Sequence, residues 1–194
     1  MGTALFGGTF DPIHNAHLEI ARAAADRFDL AKILFVPAAN PPHKPGGVMA
    51  SYEDRVRMAE LACATDPRFE VSRIEAPGER SSARSYSIVT IEKLKALGIA
   101  PLSFLIGADA FREIRTWHRW RDVVASVEFI VVTRPGSNWE TPPGATVHEL
   151  AGLDLPVSSS DIRRQVLEGA SRIPVPELVI RYIHEHKLYR SQAK

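Results

Sequence analysis

Short apolar runs alternate with helix-like segments along almost the whole chain, and this alternation is the strongest constraint on its fold. Several runs are apolar at every position, as strands are in a parallel sheet that is covered on both faces. The expected strands are Ala4–Phe6, Ile33–Val36, Phe69–Ile74, Leu102–Ile106 and Val127–Val132. The pattern predicts an α/β protein with a Rossmann-like, doubly wound parallel sheet.

The segments between these runs carry signals for the start and end of helices. Ser51 and Asp54 are placed as a capping box, and Gly98 fits the position just after a helix. The expected helices are His17–Phe28, Tyr52–Ala64, Ser87–Leu97, Ser158–Leu167 and Pro176 to about His186. We predict a single domain over residues 1–194, with a small helical part at about residues 158–190.

The amino-acid composition limits which binding partners and which cellular compartment we expect. The chain has 24 Lys and Arg residues against 23 Asp and Glu residues, so its formal charge of +1 predicts no broad surface for nucleic acid. Its one cysteine, Cys63, excludes an internal disulfide and is compatible with a reducing compartment. We expect no signal peptide and no membrane span, since no stretch approaches ~20 apolar residues. We therefore expect a cytoplasmic protein, and the oligomeric state stays open.

Two glycines and two histidines follow the first expected strand. Gly7 and Gly8 allow a sharp turn and a close approach of the backbone to a ligand. The helix expected from about His17 directs its N-terminal N–H groups and dipole towards this turn, where they attract an anion. The Thr9 hydroxyl and the imidazoles of His14 and His17 are further donors. The stretch predicts a compact phosphate-binding turn.

Other interpretations of residues 7–17 stay open. The glycines are adjacent, unlike those of G-x-G-x-x-G, and no G-K-[ST] follows as in a P-loop. His14 and His17 could instead bind zinc, but their spacing is i, i+3 and no nearby Cys or Glu completes a ligand set. Both rings could also simply pack in the core.

Two motifs carry a family resemblance. Residues 7–17, Gly-Gly-Thr-Phe-Asp-Pro-Ile-His-Asn-Ala-His, resemble the G-G-x-F-D-P-x-H-x-G-H signature of the nucleotidyltransferase α/β-phosphodiesterase superfamily. Residues 157–163, Val-Ser-Ser-Ser-Asp-Ile-Arg, are similar to its second signature, I-S-S-T-x-I-R. The resemblance extends over nearly the whole chain and narrows to the bacterial nicotinate mononucleotide adenylyltransferases. The segments that resemble this narrower family are residues 41–44, 85–87, 106–109 with Trp117, and 134–136.

Three positions depart from the family pattern. Ala16 replaces the usual glycine between the histidines, and Ser87 and Ser160 stand where threonine is common. Alanine is small enough for the turn, and both serines keep the hydroxyl. No functional group that the family uses is lost.

The resemblance implies that AMP is transferred from ATP to nicotinate mononucleotide, with pyrophosphate as the leaving group. It implies catalytic roles for His14, His17, Lys44 and Arg163. It implies ATP binding by Gly7, Gly8, Thr9, Phe10, His17, Gly107, Asp109, Arg134, Ser158, Ser159, Ser160, Ile162 and Arg163. It implies mononucleotide binding by Lys44, Ser85, Tyr86, Ser87, Trp117 and His118. Mg²⁺ is expected to enter with ATP, held by phosphate oxygens and water, so no protein metal ligand is assigned.

The residues add one argument about specificity. Ser85–Ser87 opens a helix, whose N–H groups and dipole favour a carboxylate over a neutral amide, and hence nicotinate over nicotinamide. The resemblance, rather than the residues themselves, implies that Trp117 stacks on the pyridine ring, which leaves Trp120 as a packing residue. The alternative functions are an adenylyltransferase for nicotinamide mononucleotide or phosphopantetheine, a metal-dependent hydrolase that uses the two histidines, and a non-catalytic nucleotide sensor.

Overall fold

The computed structural model describes residues 2–41, 48–78, 84–134, 136, 138–153 and 155–190. Within these ranges strands and helices alternate as predicted. The strands are β1 (Gly2–Gly8), β2 (Leu30–Pro37), β3 (Phe69–Val71), β4 (Leu102–Gly107), β5 (Glu128–Val132) and β6 (Thr146–Leu150). The helices are α1 (Asn15–Arg27), α2 (Tyr52–Cys63), α3 (Ser87–Ala96), α4 (Ala108–Arg112), α5 (Trp120–Ser126), α6 (Ser159–Leu167) and α7 (Glu177–Glu185). A 3₁₀ turn, Ile114–Thr116, lies between α4 and α5.

The strands form a parallel sheet in the order β3-β2-β1-β4-β5-β6. The chain builds one half of the sheet outward from β1 and then returns to build the other half outward from β4. This doubly wound order confirms the predicted fold class. The direction of building reverses between β1 and β4, and ligands of open α/β sheets bind beyond the carboxyl ends of the strands at such a switch point.

The strand pleat divides the apolar side chains between two layers. On β1, Ala4 and Phe6 face the layer that includes α1, α2, α6 and α7, whereas Leu5 faces the layer that includes α3, α4 and α5. All three side chains are buried. Because helices cover both faces, the central strands can be apolar at every position, which is the pattern that revealed them.

The predicted helix ends are largely confirmed. The Ser51 hydroxyl accepts a hydrogen bond from the Asp54 N–H at 3.1 Å, and Gly98 has a φ of +80° just after α3. α1 begins at Asn15 rather than His17, because the His14 carbonyl already accepts hydrogen bonds from the first turn of the helix.

One strand and two short helices were not predicted, and β3 is three residues shorter than predicted. β6 is an edge strand with exposed polar residues, so it lacks a continuous apolar run. α4 and α5 have five and seven residues, too few to show a helical period. β3 ends at Val71 instead of Ile74, because the backbone turns where the Ala76 N–H donates to the Arg73 carbonyl at 2.8 Å.

The single cysteine lies in the core, on α2. Cys63 is buried, and this burial raises the pKa of its thiol to about 12, which is typical of a cysteine that only packs. Among the described residues, no helix has both the length and the apolar character needed to cross a membrane.

Candidate active site

The turn after β1 lies at the switch point and has a strained backbone. Phe10 has a φ of +50°, a region that residues with a Cβ rarely adopt, and its side chain is buried. The guanidinium of Arg55, on α2, is also buried and donates from Nη1 to the Thr9 carbonyl at 2.7 Å. A buried arginine therefore stabilises the backbone of the turn by binding its Thr9 carbonyl.

Gly8 has a packing role that the sequence did not reveal. A Cβ at Gly8 would lie 2.8 Å from the Phe10 ring, whereas one at Gly7 would be 3.9 Å from the nearest atoms, those of the Phe104 ring. Both glycines line the cleft described below. At Gly8 the missing side chain thus makes room for Phe10.

The two histidines stack on one another at the start of α1. Their ring centroids are 3.6 Å apart, and the planes are inclined by 23°. The His14 backbone N–H donates to Nδ1 of His17 at 3.2 Å. That nitrogen therefore carries no proton, and a neutral His17 ring has its proton on Nε2. His17 presents an N–H donor at the N-terminus of α1, as the predicted phosphate-binding role requires.

His14 is buried and uncharged near neutral pH. Burial, together with the positive charge of Arg134, lowers the pKa of His14 to about 4. Its Nδ1 is buried without a hydrogen-bond partner among the described residues. In this structure His14 is therefore a neutral ring that can donate one N–H to a phosphate oxygen.

The start of α6 contacts the turn after β1 directly. The Ser159 hydroxyl donates to the Pro12 carbonyl at 2.9 Å, and Arg163 donates from Nη1 to the Asp11 carbonyl at 2.8 Å. Arg163 also donates from Nη2 to the Ser160 hydroxyl at 3.2 Å. The two sequence motifs therefore form one site.

Two other residues of the second motif support α6 itself. The Ser158 hydroxyl caps the helix by accepting a hydrogen bond from the Asp161 N–H at 3.1 Å. Ile162 is fully buried, and its N–H donates to the Ser158 carbonyl at 3.1 Å. Ile162 thus fixes the helix against the core.

A cleft of ≈ 310 Å³ opens beside the turn, between the carboxyl ends of β1 and β4. The predicted site residues that line it are Gly7, Gly8, Thr9, Ser85, Tyr86, Ser87, Gly107, Trp117 and His118. Trp117 is half-buried against Phe104, with ring centroids 5.9 Å apart. Trp120 does not line the cleft, in line with the packing role predicted for it. The cleft brings the predicted mononucleotide residues that the structure describes next to the turn predicted to bind phosphate.

The N-terminus of α3 forms one wall of this cleft. The Ser85 hydroxyl accepts a hydrogen bond from the Asn40 N–H at 3.1 Å, and the Ser85 N–H donates to the Asn40 carbonyl at 3.0 Å. The ring of Tyr86, the N-cap of α3, lies 4.4 Å from the His118 ring. These contacts fix where the helix starts.

Glu75 was not predicted from the sequence, although it lines the same cleft. Its carboxylate accepts a hydrogen bond from the hydroxyl of Thr90, on α3. It is the one acidic residue among the described lining residues. No motif marks it, because only the turn after β3 brings it to the cleft.

The predicted ATP residues beyond β4 and β5 also lie together. Gly107, Asp109 and Arg134 line a small cavity of ≈ 90 Å³ that continues from the first cleft at Gly107. Ile20 and Val132 line it too, and the sequence could not distinguish them from ordinary core residues. This small cavity has mostly apolar walls, with one acidic side chain, Asp109, and one basic side chain, Arg134.

Two further predictions concern cations. Lys44 lies outside the described residues, so its role stays a prediction. Among the described residues, no three His, Cys, Asp or Glu side chains are grouped so that they could hold a metal ion. The stacked His14 and His17 rings have their nitrogens in nearly parallel planes, which argues against one shared zinc ion.

A glycine turn that leads into a helix N-terminus at the switch point of a doubly wound sheet is the arrangement that nucleotide-binding α/β proteins use. The cytidylyltransferase-like family model matches residues 5–165. The "Probable nicotinate-nucleotide adenylyltransferase" of Solibacter usitatus is 55% identical over 192 residues, covering 97% of this chain and all of that protein. The protein of the same name from Geotalea uraniireducens is 38% identical, covering 97% of this chain and 98% of its own.

Solved structures show the same fold. The nicotinic acid mononucleotide adenylyltransferase of Plasmodium falciparum, complexed with NaAD, matches with a TM-score of 0.77 at 18% identity, over 97% of both chains. Its complex with APC gives a TM-score of 0.76 at the same identity, over 97% of this chain and 96% of that one. The family model and the two bacterial relatives show that the chain belongs to the cytidylyltransferase-like family and, within it, to the nicotinate-nucleotide adenylyltransferases. The family resemblance seen in the sequence is confirmed.

Proposed function

We propose that this protein transfers AMP from ATP to nicotinate mononucleotide, giving nicotinic acid adenine dinucleotide and pyrophosphate in NAD biosynthesis. The observation that carries the proposal is the contact of the α6 start with the turn after β1, beside the cleft that contains Trp117. This contact joins two helix N-termini and Arg163 at one place, which suits a polyphosphate.

The reaction needs no protein nucleophile. A phosphate oxygen of the mononucleotide bonds to the α-phosphorus of ATP, and the bond from that phosphorus to the β-phosphate bridging oxygen breaks. The attacking oxygen is already an anion near neutral pH, so no general base is required. Catalysis then depends on position and on donors aimed at the developing negative charge.

His17 is the main donor to the α-phosphate in this proposal. Its Nδ1 is engaged by the His14 N–H, so the ring orientation is set before substrate binds and Nε2–H is the donor. Such a prepared donor stabilises the transition state without reorganisation. His14 and Thr9 would hold phosphate oxygens as neutral donors.

Positive charge for the β- and γ-phosphates comes from Arg163 in this proposal. Arg163 already contacts the turn through the Asp11 carbonyl, so its charge is fixed at the α6 N-terminus. We propose that Lys44, which lies between β2 and α2 in the sequence, adds a second charge. Mg²⁺ would accompany ATP and neutralise part of the polyphosphate charge, held by phosphate oxygens and water rather than by a protein ligand set.

The mononucleotide would occupy the cleft that α3 and Trp117 line. The Trp117 ring offers a flat surface for the pyridine, and phosphopantetheine has no ring to stack on it. The α3 N-terminus would bind the nicotinate carboxylate through its N–H groups and dipole. The adenosine would lie towards Gly107, Asp109 and Arg134. A cytoplasmic location is part of the same proposal.

Product analysis tests this function. The protein is incubated with ATP, Mg²⁺ and nicotinate mononucleotide, and the mixture is separated by chromatography. We expect pyrophosphate and nicotinic acid adenine dinucleotide in equal amounts, and neither when either nucleotide is omitted. Release of inorganic phosphate or free AMP instead would indicate a hydrolase and contradict the proposal.

A further inference from the structure

The Asp11 carboxylate is the buried centre of the turn after β1. Asp11 as a whole is only 2% exposed. Oδ2 accepts a hydrogen bond from the Met49 N–H at 2.8 Å, and Oδ1 accepts hydrogen bonds from the Ala50 N–H at 3.1 Å and the Tyr189 hydroxyl at 2.7 Å. One carboxylate thus joins the turn to the residues before α2 and to the segment after α7.

Tyr189 is the most distant of these partners, 178 residues from Asp11 along the chain. Within the ranges that the structure describes, it is the one side-chain donor to this carboxylate. Its ring is buried in the layer that contains Phe10. Burial and the charge of Asp11 raise the pKa of Tyr189, so the hydroxyl keeps its proton and stays a donor.

The turn that Tyr189 supports determines where the phosphate donors lie. Phe10 has its strained φ of +50° directly before Asp11, and such a backbone persists only where its surroundings hold it. Thr9 precedes it, and α1 with His14 and His17 follows. A displacement of about 1 Å at such a site can lower a rate ~10²-fold.

We propose that Tyr189 is a positioning residue for adenylyl transfer, which acts by holding the Asp11 carboxylate and with it the phosphate-binding turn. Tyr189 contacts neither nucleotide in this account. The inference rests on the proposed function, because its effect is on the transfer step.

The chain offers a matched control for the test. Tyr182, on α7, also donates its hydroxyl to a carboxylate, that of Asp54 at 2.9 Å, but Asp54 lies on α2 and outside the turn. Tyr189→Phe and Tyr182→Phe therefore remove the same group from the same part of the chain. We expect Y189F to lower kcat ~10-fold or more, with KM for the mononucleotide within ~2-fold, and Y182F to keep kcat within ~2-fold of wild type. Equal kcat values for wild type and both folded variants would overturn the proposal.

A double-mutant cycle separates action through Asp11 from an independent effect. Asp11→Asn is combined with Y189F, and kcat is measured for both single variants and the double variant. If Tyr189 acts through Asp11, the double variant is no slower than D11N alone. Losses that multiply would overturn the proposal.

Two further measurements cover loss of folding and loss of activity. If circular dichroism shows Y189F partly unfolded, the assay is repeated with enough trimethylamine N-oxide to restore the fold. kcat must then stay low, and full recovery would overturn the positioning role.

If wild type releases no pyrophosphate, the proposed function fails, and calorimetry of ATP binding decides on Tyr189 separately. Weaker binding to Y189F than to Y182F supports it, and equal binding overturns it.

Discussion

Nη1 of Arg163 lies 2.8 Å from the carbonyl oxygen of Asp11, although 152 residues separate the two along the chain. The contact links the N-terminus of α6 to the turn that begins α1. Each helix end attracts anions, and the arginine between them adds a full charge. A polyphosphate bound there would be held by both sequence motifs at once, which explains why the motifs occur together.

Replacement of His17 should slow the transfer step. His17→Ala removes the Nε2–H donor that we place on the α-phosphate, so kcat should fall by roughly 10²–10³ or more. Steady-state pyrophosphate release measures this. His148→Ala is the control, because His148 is exposed on β6 and pairs with Glu128. A His17 variant within a few-fold of wild type would remove His17 from the mechanism.

Replacement of Trp117 should affect one substrate. Trp117→Ala is expected to raise KM for the mononucleotide, since the stacking surface is lost, and to leave KM for ATP nearly unchanged. Initial rates with each substrate varied in turn give both constants. Trp120→Ala, outside the cleft, should change neither. If W117A raises both KM values equally, Trp117 is structural.

Acid should destabilise the fold through His14. The pKa of His14 is lowered to about 4 from its ordinary value of 6.5 by burial and by Arg134. Between these values the unfolded chain binds a proton that the folded protein does not, so the free energy of unfolding falls as the pH decreases from 6.5 to 4. Across this whole pH range, protonation of His14 in the unfolded chain lowers the free energy of unfolding by about 3 kcal/mol.

Urea unfolding at several pH values checks the role of His14. His14→Gln removes the titrating group, so the stability advantage of wild type over the variant should shrink by about 2–3 kcal/mol between pH 7 and pH 4.5. Other acidic groups titrate equally in both proteins and cancel in the difference. Parallel pH profiles for the two proteins would mean that His14 keeps an ordinary pKa.

The two glycines of the turn should differ in their tolerance of alanine. Gly8→Ala places a Cβ 2.8 Å from the buried Phe10 ring, so we expect about 1–3 kcal/mol of destabilisation. Gly7→Ala meets only an ordinary contact at 3.9 Å and should unfold at nearly the wild-type urea concentration. Thermal or urea unfolding compares the pair. Equal stability losses would show that the Phe10 contact does not distinguish them.

The central sheet could be predicted because its strands are apolar on both faces, and the helices because their ends carry caps such as Ser51. β6 could not be predicted in the same way. It is an edge strand with exposed polar residues, and the continuous apolar run that marks the central strands is missing there.

The candidate site was predictable where residues are contiguous in a motif, as His14 and His17 are. Glu75 and Tyr189 were not predicted to belong to the site, because only the folded structure brings them to it. Glu75 reaches the cleft after the chain turns at the end of β3, and Tyr189 returns to Asp11 across the length of the chain. A single tyrosine near the end of a sequence carries no local signal of such a contact.

The most direct test of the account compares acceptors. Pyrophosphate release is measured with ATP and Mg²⁺, and with nicotinate mononucleotide, nicotinamide mononucleotide or phosphopantetheine as the second substrate. We expect the highest kcat/KM for nicotinate mononucleotide, because the N-terminus of α3 favours a carboxylate, and no release with phosphopantetheine. Equal rates with the acid and the amide would contradict the role of α3, and release with phosphopantetheine alone would contradict the assignment of the cleft.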